Sequence, residues 1–330
     1  MNITSKQNII VTGGAGYIGS HICKALAAEN YTPVTLDNLS GGFEKLVKWG
    51  PLEVGDINNK IWLTDIFNKY SPLAIIHCAG LISVEESTKK PEIYFRNNFH
   101  ATEILLDAMR KAGVKHIIYS STASVYGNVT ENVIAEKQIT SPQNPYAESK
   151  LKAENAIHKQ PKEQNDFSAV ILRYFNAAGA DDKSETGELH NPETHLIPLA
   201  IIAALNGTEF TIYGDGSVVR DYVHVSDIAN AHLLALKYSI SNNGVQTFNI
   251  GTGQGFSVIE VVRTIEKLSG KTLNLKFKEP RAGDVPKLVA DVTKATELMS
   301  YKPQHSSLNN IIKTAIAWHQ MDSLTINTTL

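Results

Sequence analysis

Asn8-Ile9-Ile10-Val11-Thr12-Gly13-Gly14-Ala15-Gly16-Tyr17-Ile18-Gly19-Ser20-His21-Ile22-Cys23-Lys24-Ala25-Leu26-Ala27-Ala28 reads as a strand, a glycine-rich turn and a helix, and the rest of the chain is organised around it. The run Ile9-Ile10-Val11 is short, apolar and β-branched, as suits a strand buried on both faces. Leu26 and the alanines beside it recur at helical spacing. Between them stand Gly13, Gly16 and Gly19, whose even spacing serves a tight turn, close backbone approach to a ligand and close packing of helix on strand. A helix that begins here aims its free N–H groups and positive dipole end at the turn, where a pyrophosphate would sit. A plain turn between strand and helix could carry the same glycines. Pro33-Val34-Thr35-Leu36-Asp37 decides between the two readings: it forms a second strand ending in an acid about 20 residues further on, where a ribose 2′-hydroxyl is bound. A dinucleotide site is therefore expected, and Asp37 favours NAD over NADP.

Beyond Asp37 the strands and helices alternate. The turn at 38–42 leads into a predicted helix ending near Lys48. Residues 52–54 form a third strand closed by Gly55-Asp56, 60–70 a helix, and 73–78 a buried strand ending in Ala79-Gly80. Pro91 opens a long helical pattern to Arg110 that Gly113 stops. Residues 116–119 and 169–172 are further strands, with a helix over 146–159 between them. Such alternation forces parallel pairing through crossovers, so the expected fold is α/β, a Rossmann-type doubly wound parallel sheet. Past Asn176 the pattern becomes irregular: 181–193 is polar, 195–205, 258–268 and 309–319 read as helices, and 210–213, 248–250 and 273–277 as strands. This describes a smaller C-terminal α/β lobe for the substrate. The division is residues 1–176 for the NAD-binding domain and 177–330 for the lobe, with a chain free to cross between them more than once. The last residues, 321–330, are polar and expected to fray.

At 330 residues the chain has room for two such lobes, and its 42% hydrophobic and 19% charged residues describe an ordinary globular protein. A net charge of −2 recruits neither nucleic acid nor membrane. Cys23 and Cys78 fall in a predicted helix and strand without metal-ligand spacing, and read as buried thiols of a reducing compartment. Residues 1–7 are polar, the first apolar run is too short for a signal peptide, and no stretch is long enough to span a membrane. A cytoplasmic location is expected. None of the histidines has convincing metal-ligand spacing, and His77, following a buried strand, reads as structural, so no metal is expected.

Tyr146-Ala147-Glu148-Ser149-Lys150 puts a phenol and an ammonium one turn apart on one helix face. Free tyrosine, with a pKa of about 10, is too weakly acidic to act as a base at neutral pH. A neighbouring Lys⁺ and the charge of an oxidised nicotinamide would stabilise the phenolate and make it a usable acceptor for a substrate hydroxyl proton. Chance could supply one such pair. Its position after a nucleotide-binding strand and the hydroxyl cluster Ser120-Ser121-Thr122 argues otherwise.

Several further segments carry a resemblance: 12–19 (TGGAGYIG), Asp37-Asn38-Leu39, Gly55-Asp56-Ile57, Asn97-Asn98, 120–127 (SSTASVYG), 144–150 (NPYAESK), 172–176 (LRYFN), 220–225 (RDYVHV) and 281–284 (RAGD). In this order, and over nearly the whole chain, they resemble the extended short-chain dehydrogenase/reductase family and, within it, the UDP-glucose 4-epimerases. The resemblance implies that Tyr146 is the acid/base, Lys150 its partner and a ligand of the nicotinamide ribose, and Thr122 the hydroxyl that bonds the sugar. It implies cofactor contacts at Gly13, Gly16, Tyr17, Ile18, Gly19, Asp37, Asn38, Asp56, Ile57, Cys78, Asn97 and Phe175. It places the UDP-sugar against Asn176, His195, Arg220, Arg281, Asp284 and Leu288. Two arginines suit a diphosphate, because guanidinium forks pair with phosphate oxygens and keep their charge. It also implies a homodimer through the helices near 91–110 and 146–159, and Tyr94, Phe95, Ile104, Leu105 and Met109 supply apolar surface for it.

Relatives that dehydrate or decarboxylate nucleotide sugars carry an acid just after the Ser/Thr position; Ala123 and Ser124 stand there in this chain. The resemblance thus implies epimerisation of UDP-glucose and UDP-galactose, in galactose metabolism, through a transient 4-keto sugar. The alternatives are a 4-epimerase of another UDP-sugar (an N-acetylhexosamine, pentose or uronate), a simple dehydrogenase, and an NAD-binding sensor of the same fold. Some positions depart from the common pattern: Cys78 replaces an aromatic, Ile82 a lysine, His195 an asparagine and Leu288 a tyrosine, and the loop between Gly214 and Arg220 is short.

Overall fold

Ile9, Ile10 and Val11 are wholly buried, and their side chains divide between two cores, Ile9 and Val11 facing one and Ile10 the other. That division is the period-two alternation of a strand covered on both sides. In the computed structural model, which describes residues 6–129, 131, 133–162, 164, 166–280 and 285–327, this strand is β1 (Asn8–Thr12). It is followed by β2 (Thr32–Asp37), β3 (Leu52–Val54), β4 (Ala74–His77), β5 (His116–Thr122) and β6 (Ser168–Tyr174). The second part of the chain adds β7 (Asn176–Ala178), β8 (Glu209–Tyr213), β9 (Val219–Arg220), β10 (Tyr222–His224), β11 (Gly244–Ile250), β12 (Phe256–Ser257), β13 (Asn274–Lys278) and β14 (Lys287–Leu288).

Seven strands form one sheet in the order β11-β6-β5-β4-β1-β2-β3, every neighbouring pair parallel. Helices Tyr17–Ala28 and Val225–Ser241 cover one face through Ile22, Leu26, Ile228 and Leu236. Lys60–Tyr70, Ala101–Ala112 and Pro145–Lys159 cover the other through Phe67, Leu105 and Ile157. The expected doubly wound parallel sheet is present. A third core joins helices Leu196–Asn206, Val258–Ser269 and Leu308–Asn327 to the parallel pair β8–β13. Two small sheets, β10-β7 and β12-β9-β14, complete the strand pairing among the described residues. No helix among the described residues is long and apolar enough to cross a membrane.

Four local readings change. The helix expected to end near Lys48 is only the 3₁₀ turn Glu44–Leu46, because Gly41-Gly42 and Gly50-Pro51 leave too short a segment between them to nucleate an α-helix. The pattern from Pro91 is helical to Ala112 and stops at Gly113, but its middle turn, Phe95–His100, is a π-helix. Residues 248–250, assigned above to the smaller lobe, belong to β11, the seventh strand of the main sheet, and Val225–Ser241 before it is a helix where the sequence reading assigned none. Finally, Tyr94, Leu105 and Met109 are buried within their own chain, so of the five apolar residues offered above for a second copy only Phe95 and Ile104 keep accessible surface.

Helix Pro145–Lys159 is fastened to the sheet by a buried ion pair. The Glu154 carboxylate accepts from Arg173 Nε at 3.0 Å, from Arg173 Nη2 at 2.5 Å and from Ser121 Oγ at 2.5 Å. Removing one partner of such a pair strands the other charge in the interior. Arg173→Met should therefore lower unfolding free energy by about 3–5 kcal/mol, read as a shift of the urea midpoint, and adding Glu154→Gln should restore part of it.

Candidate active site

All seven strands of the main sheet point the same way, so their C-terminal ends lie along one edge, and the strand order reverses between β1 and β4. A crevice at such a reversal is where open α/β sheets take ligands. Gly13, Gly16 and Gly19 after β1, Asp37 at the end of β2, Cys78 after β4 and Thr122 at the end of β5 lie along that edge. Gly13, directly after β1, has φ +70°, and a Cβ on it would stand 2.7 Å from the Ala79 nitrogen. At Gly19 a Cβ would stand 2.1 Å from the Gly13 carbonyl oxygen, so the helix packs directly on the loop. Gly16 is the N-cap of Tyr17–Ala28 and brings no side chain to occupy the first-turn N–H groups.

Asp37 closes the loop at the end of β2. Its carboxylate accepts from Ala15 N at 3.1 Å and Leu39 N at 2.9 Å. Burial pushes its pKa up, and the two backbone hydrogen bonds oppose that. Asn38 is exposed and accepts from Ser40 N; Asp56 turns the chain after β3 by accepting from Asn58 N; Ile57 is buried in the second core. Tyr17 reaches across to the second part of the chain, its hydroxyl donating to the Gly179 carbonyl at 2.5 Å. Ile18 packs against the first core. Cys78, half-buried after β4, receives a 3.0 Å hydrogen bond from Ser120 Oγ. Asn97 donates to the Ile93 carbonyl from the π-turn.

Tyr146 and Lys150 sit on helix Pro145–Lys159, whose start is fixed by Pro145 at N1 and by Asn144 Oδ1 accepting from Ala147 N at 2.9 Å. Lys150 is buried, and its Nζ donates to the Ser120 carbonyl at 2.9 Å, 5.0 Å from the Tyr119 ring centroid. Burial pulls its pKa down to about 8, against the opposing pull of Cys78 and Glu154. Burial also pushes the Tyr146 phenol up, and the downward pull comes from a Thr122 hydrogen bond rather than from Lys150. In the chain by itself the lysine is directed at the Ser120 carbonyl, and the expected lowering of the phenol by Lys150 is not seen. Thr122 ends β5 and also accepts from Ser124 N at 3.1 Å. His77 is structural as read: its ring joins Thr12 and Thr102, and burial lowers its pKa to about 3.

The sequence reading passed over Asn98 as a site residue. On the π-turn, its amide accepts from Leu81 N at 2.8 Å and donates to Leu81 O and Ser149 Oγ at 3.0 Å each, tying the loop after β4 to helix Pro145–Lys159. A π-turn holding a buried asparagine was the available signal, but helical periodicity alone hides it. Away from this edge, Tyr213 and Phe277, exposed near the ends of β8 and β13, line an open cavity of about 670 Å³ with Lys278 and Glu279.

On the substrate side Phe175 is buried beside Ala123, and Asn176 is exposed at the head of β7. Arg220 Nη1 donates to the Val219 and Val285 carbonyls at 2.9 and 2.8 Å. Leu288 is its register partner across β9 and β14 and packs against the cluster of Ala123, Val125 and Phe175. The intervening Asp221 is wholly buried and accepts from Thr252 Oγ1, from the Thr252 and Gly253 nitrogens and from Ala290 N. His195 caps helix Leu196–Asn206, with its Nδ1 hydrogen-bonded to Glu188. Arg281 and Asp284 lie outside the described residues.

Residues 9–251 match the NAD dependent epimerase/dehydratase family. Over 320 residues the chain is 44% identical to the UDP-glucose 4-epimerase of Rhizobium meliloti (strain 1021), spanning 95% of this chain and 97% of that protein. It is similar to the crystal structure of UDP-glucose 4-epimerase from Brucella ovis in complex with NAD, with a TM-score of 0.92 and 41% identity over 94% of this chain and 98% of that one. The UDP-Glc/GlcNAc 4-epimerase of Campylobacter jejuni is also similar, with a TM-score of 0.84 and 34% identity over 96% and 99% of the two chains.

The depressed pKa of Lys150 has a measurable consequence. Below pH 8 the folded and unfolded chains both carry the ammonium, and the fold bears a desolvation cost on the order of 3 kcal/mol. Between about pH 8 and 10.5 the unfolded chain still binds that proton and the folded chain does not, so the contribution of Lys150 to stability rises with pH. Lys150→Met should be favoured over wild type below pH 8, with the difference shrinking across that window in paired denaturant titrations.

Proposed function

The chain belongs to the NAD dependent epimerase/dehydratase family, and on that premise we propose that it interconverts UDP-glucose and UDP-galactose by inverting C4 of the sugar. The observation that carries this reading is the approach of Tyr146 to Thr122 at the end of β5, with Lys150 one turn along the same helix and bonded to the Ser120 carbonyl, at the same sheet edge as a glycine loop closed by Asp37. The enzyme is an NAD-dependent isomerase. The residues fit the dinucleotide: the loop between Gly13 and Gly19 admits its pyrophosphate, and a 2′-phosphate would meet the Asp37 carboxylate as like charge. Tyr17, Ile18, Asn38, Asp56, Ile57, Cys78, Asn97 and Phe175 complete its contacts, and Lys150 holds the nicotinamide ribose. When bound, NAD⁺ supplies the hydride acceptor and a positive charge that favours the phenolate.

Tyr146 then takes the C4 hydroxyl proton as the C4 hydride leaves, giving a 4-keto sugar. Thr122 bonds the same oxygen and keeps it within reach of the phenol. Arg220 and Arg281 hold the diphosphate, with Asn176, His195 and Asp284 on the rest of the nucleotide sugar. That grip lets the keto sugar turn over without leaving, and Tyr146 returns the proton when the hydride comes back on the other face. Ala123 and Ser124 offer no acid to expel a neighbouring hydroxyl, which keeps the reaction an epimerisation. Exposed Tyr213 and Phe277 offer ring faces to the base. A homodimer through the helices near 91–110 and 146–159, with Ile93 exposed at the start of the first, and a cytoplasmic setting for two free cysteines complete the proposal.

Tyr146→Phe keeps the ring and removes the proton acceptor, so turnover should fall by roughly two to four orders of magnitude while UDP-sugar binding changes little. The purified protein should contain NAD(H) and release no NADH during turnover; stoichiometric release would mean a dehydrogenase, and a nearly active phenylalanine variant would displace Tyr146 from its role.

A second reading has its own support: Leu288 stands where a tyrosine ring is common, and the C. jejuni relative is named for both UDP-Glc and GlcNAc sugars. The smaller side chain leaves room beside C2 of the sugar. Activity on UDP-N-acetylglucosamine is expected, weaker than on UDP-glucose. Leu288→Tyr should reduce it selectively, with UDP-galactose turnover staying within about tenfold, or about 1.4 kcal/mol. Product identification by NMR on both sugars decides it: preference for the N-acetylated sugar would reverse the two readings.

A further inference from the structure

The loop between β7 and helix Leu196–Asn206 contains the sequence Glu188-Leu189-His190-Asn191-Pro192-Glu193-Thr194-His195, in which two Glu-x-His units flank an Asn-Pro turn. The fold brings these units together, so that one ligand atom from each of Glu188, His190, Glu193 and His195 lies within 4.8 Å of every other. We propose that these four side chains form a binding site for a divalent transition ion of the Zn²⁺ class, a role that the function proposed above gives to none of them; His195, placed there against the nucleotide sugar, would ligate the ion through Nδ1 and adjoin both sites.

Two independent observations support it. The first is an orphaned atom: His190 Nδ1 is buried without a hydrogen-bond partner and faces the cluster, 3.4 Å from Glu188 Oε1 and 3.5 Å from Glu193 Oε1. Those separations do not make hydrogen bonds, but they match the ligand-to-ligand edge of a tetrahedral zinc site, about 3.3 Å for bonds near 2.0 Å. The second is charge. The Glu188 and Glu193 side chains are only 5% and 10% exposed, and among the described residues no lysine or arginine pairs with either. Among the described residues their ion-pairing partners are the His190 and His195 rings, and a divalent ion held among the four would balance both carboxylates with the imidazoles serving as neutral ligands.

The ligand set is two imidazole nitrogens and two carboxylate oxygens, which favours Zn²⁺, Co²⁺ or Ni²⁺ over Mg²⁺ or Ca²⁺. The surroundings already orient it. Glu193 Oε1 is held by the Thr194 and His195 nitrogens at 2.7 and 2.8 Å, and Trp318 Nε1 donates to the Glu188 carbonyl at 2.8 Å, pinning the loop to the C-terminal helix. One adjustment is required. His195 Nδ1 now hydrogen-bonds Glu188, so the two must part by about 1 Å to admit an ion. The His195 side chain is 48% exposed and has room to move.

The test does not depend on the activity proposed above. Protein stripped with EDTA is titrated with Co²⁺ and followed by its ligand-field absorption, then with Zn²⁺ by calorimetry. One Co²⁺ per chain, with an intense low-coordinate band that Zn²⁺ abolishes, is the expected result. His190→Ala should weaken Zn²⁺ binding at least tenfold and remove the rise in Tm that Zn²⁺ gives the wild type. Glu193→Gln, whose amide oxygen can still accept from Thr194 and His195, should do the same with the loop intact. Less than one ion per wild-type chain, or unchanged affinity in both variants, would overturn the site.

Discussion

The geometry of helix Pro145–Lys159 depends on one carboxylate. Glu154 lies one turn beyond Lys150 and is almost wholly buried, and its oxygens are taken up by Ser121 on β5 and Arg173 on β6. The Arg173 guanidinium in turn lies 4.9 Å from the Tyr126 ring centroid, and the Tyr126 hydroxyl donates to Asn249 on β11 at 2.6 Å. Three neighbouring strands thus grip one helical position. A buried ion pair adds little net stability over a well-packed apolar one, but it admits only one rotation and one height of the helix. The helix carries Tyr146 and Lys150 on one face, so the height of the phenol above Thr122 is set from below.

Against this rigid support, the two ionisable groups of the helix are both pushed away from their charged forms. Burial disfavours the charged form of both Lys150 and Tyr146, holding the phenol protonated and the ammonium easier to neutralise than usual. The Lys150 ammonium is spent on the Ser120 carbonyl. In the function proposed above, the base arises only when charge and hydroxyl groups arrive with the ligands, which would link proton transfer to a filled crevice. Asn98 contributes to the same arrangement from the other side, joining the loop after β4 to Ser149, the residue before Lys150.

The sheet and its cofactor edge were legible in the sequence because they rest on local rules. Ile9-Ile10-Val11 alternates between two cores, Gly13 occupies a positive-φ turn, and Asp37 ends the second strand, each within a few residues of its cause. That Tyr146 and Lys150 share one helix was legible for the same reason, since residues four apart on a helix lie on one face whatever surrounds them. What escaped depends on distant partners. The π-turn at Phe95–His100 has the apolar spacing of any helix, and its value appears only when Asn98 meets Leu81 and Ser149. Asp221 and Glu188 are ordinary acids in the sequence, and only folding brings to them the nitrogens of Thr252 and Ala290 or the rings of His190 and His195. The placement of β11 escaped because a strand's sequence does not say which of two sheets it joins.

That placement bears on how the protein is made. A ribosome that has released residues up to Asn176 has produced six of the seven strands, with β6 as a raw edge whose Val170 and Leu172 lack the cover of Phe248 and helix Val225–Ser241. The edge stays open while β7 to β10 emerge, because its partner arrives only with Gly244–Ile250. An unpaired edge of this kind is a template for another chain. The nucleotide-binding sheet is therefore not a separable module: it closes only after much of the later chain has been synthesised, and the nascent protein passes through an interval of exposure to chaperones and to other copies of itself.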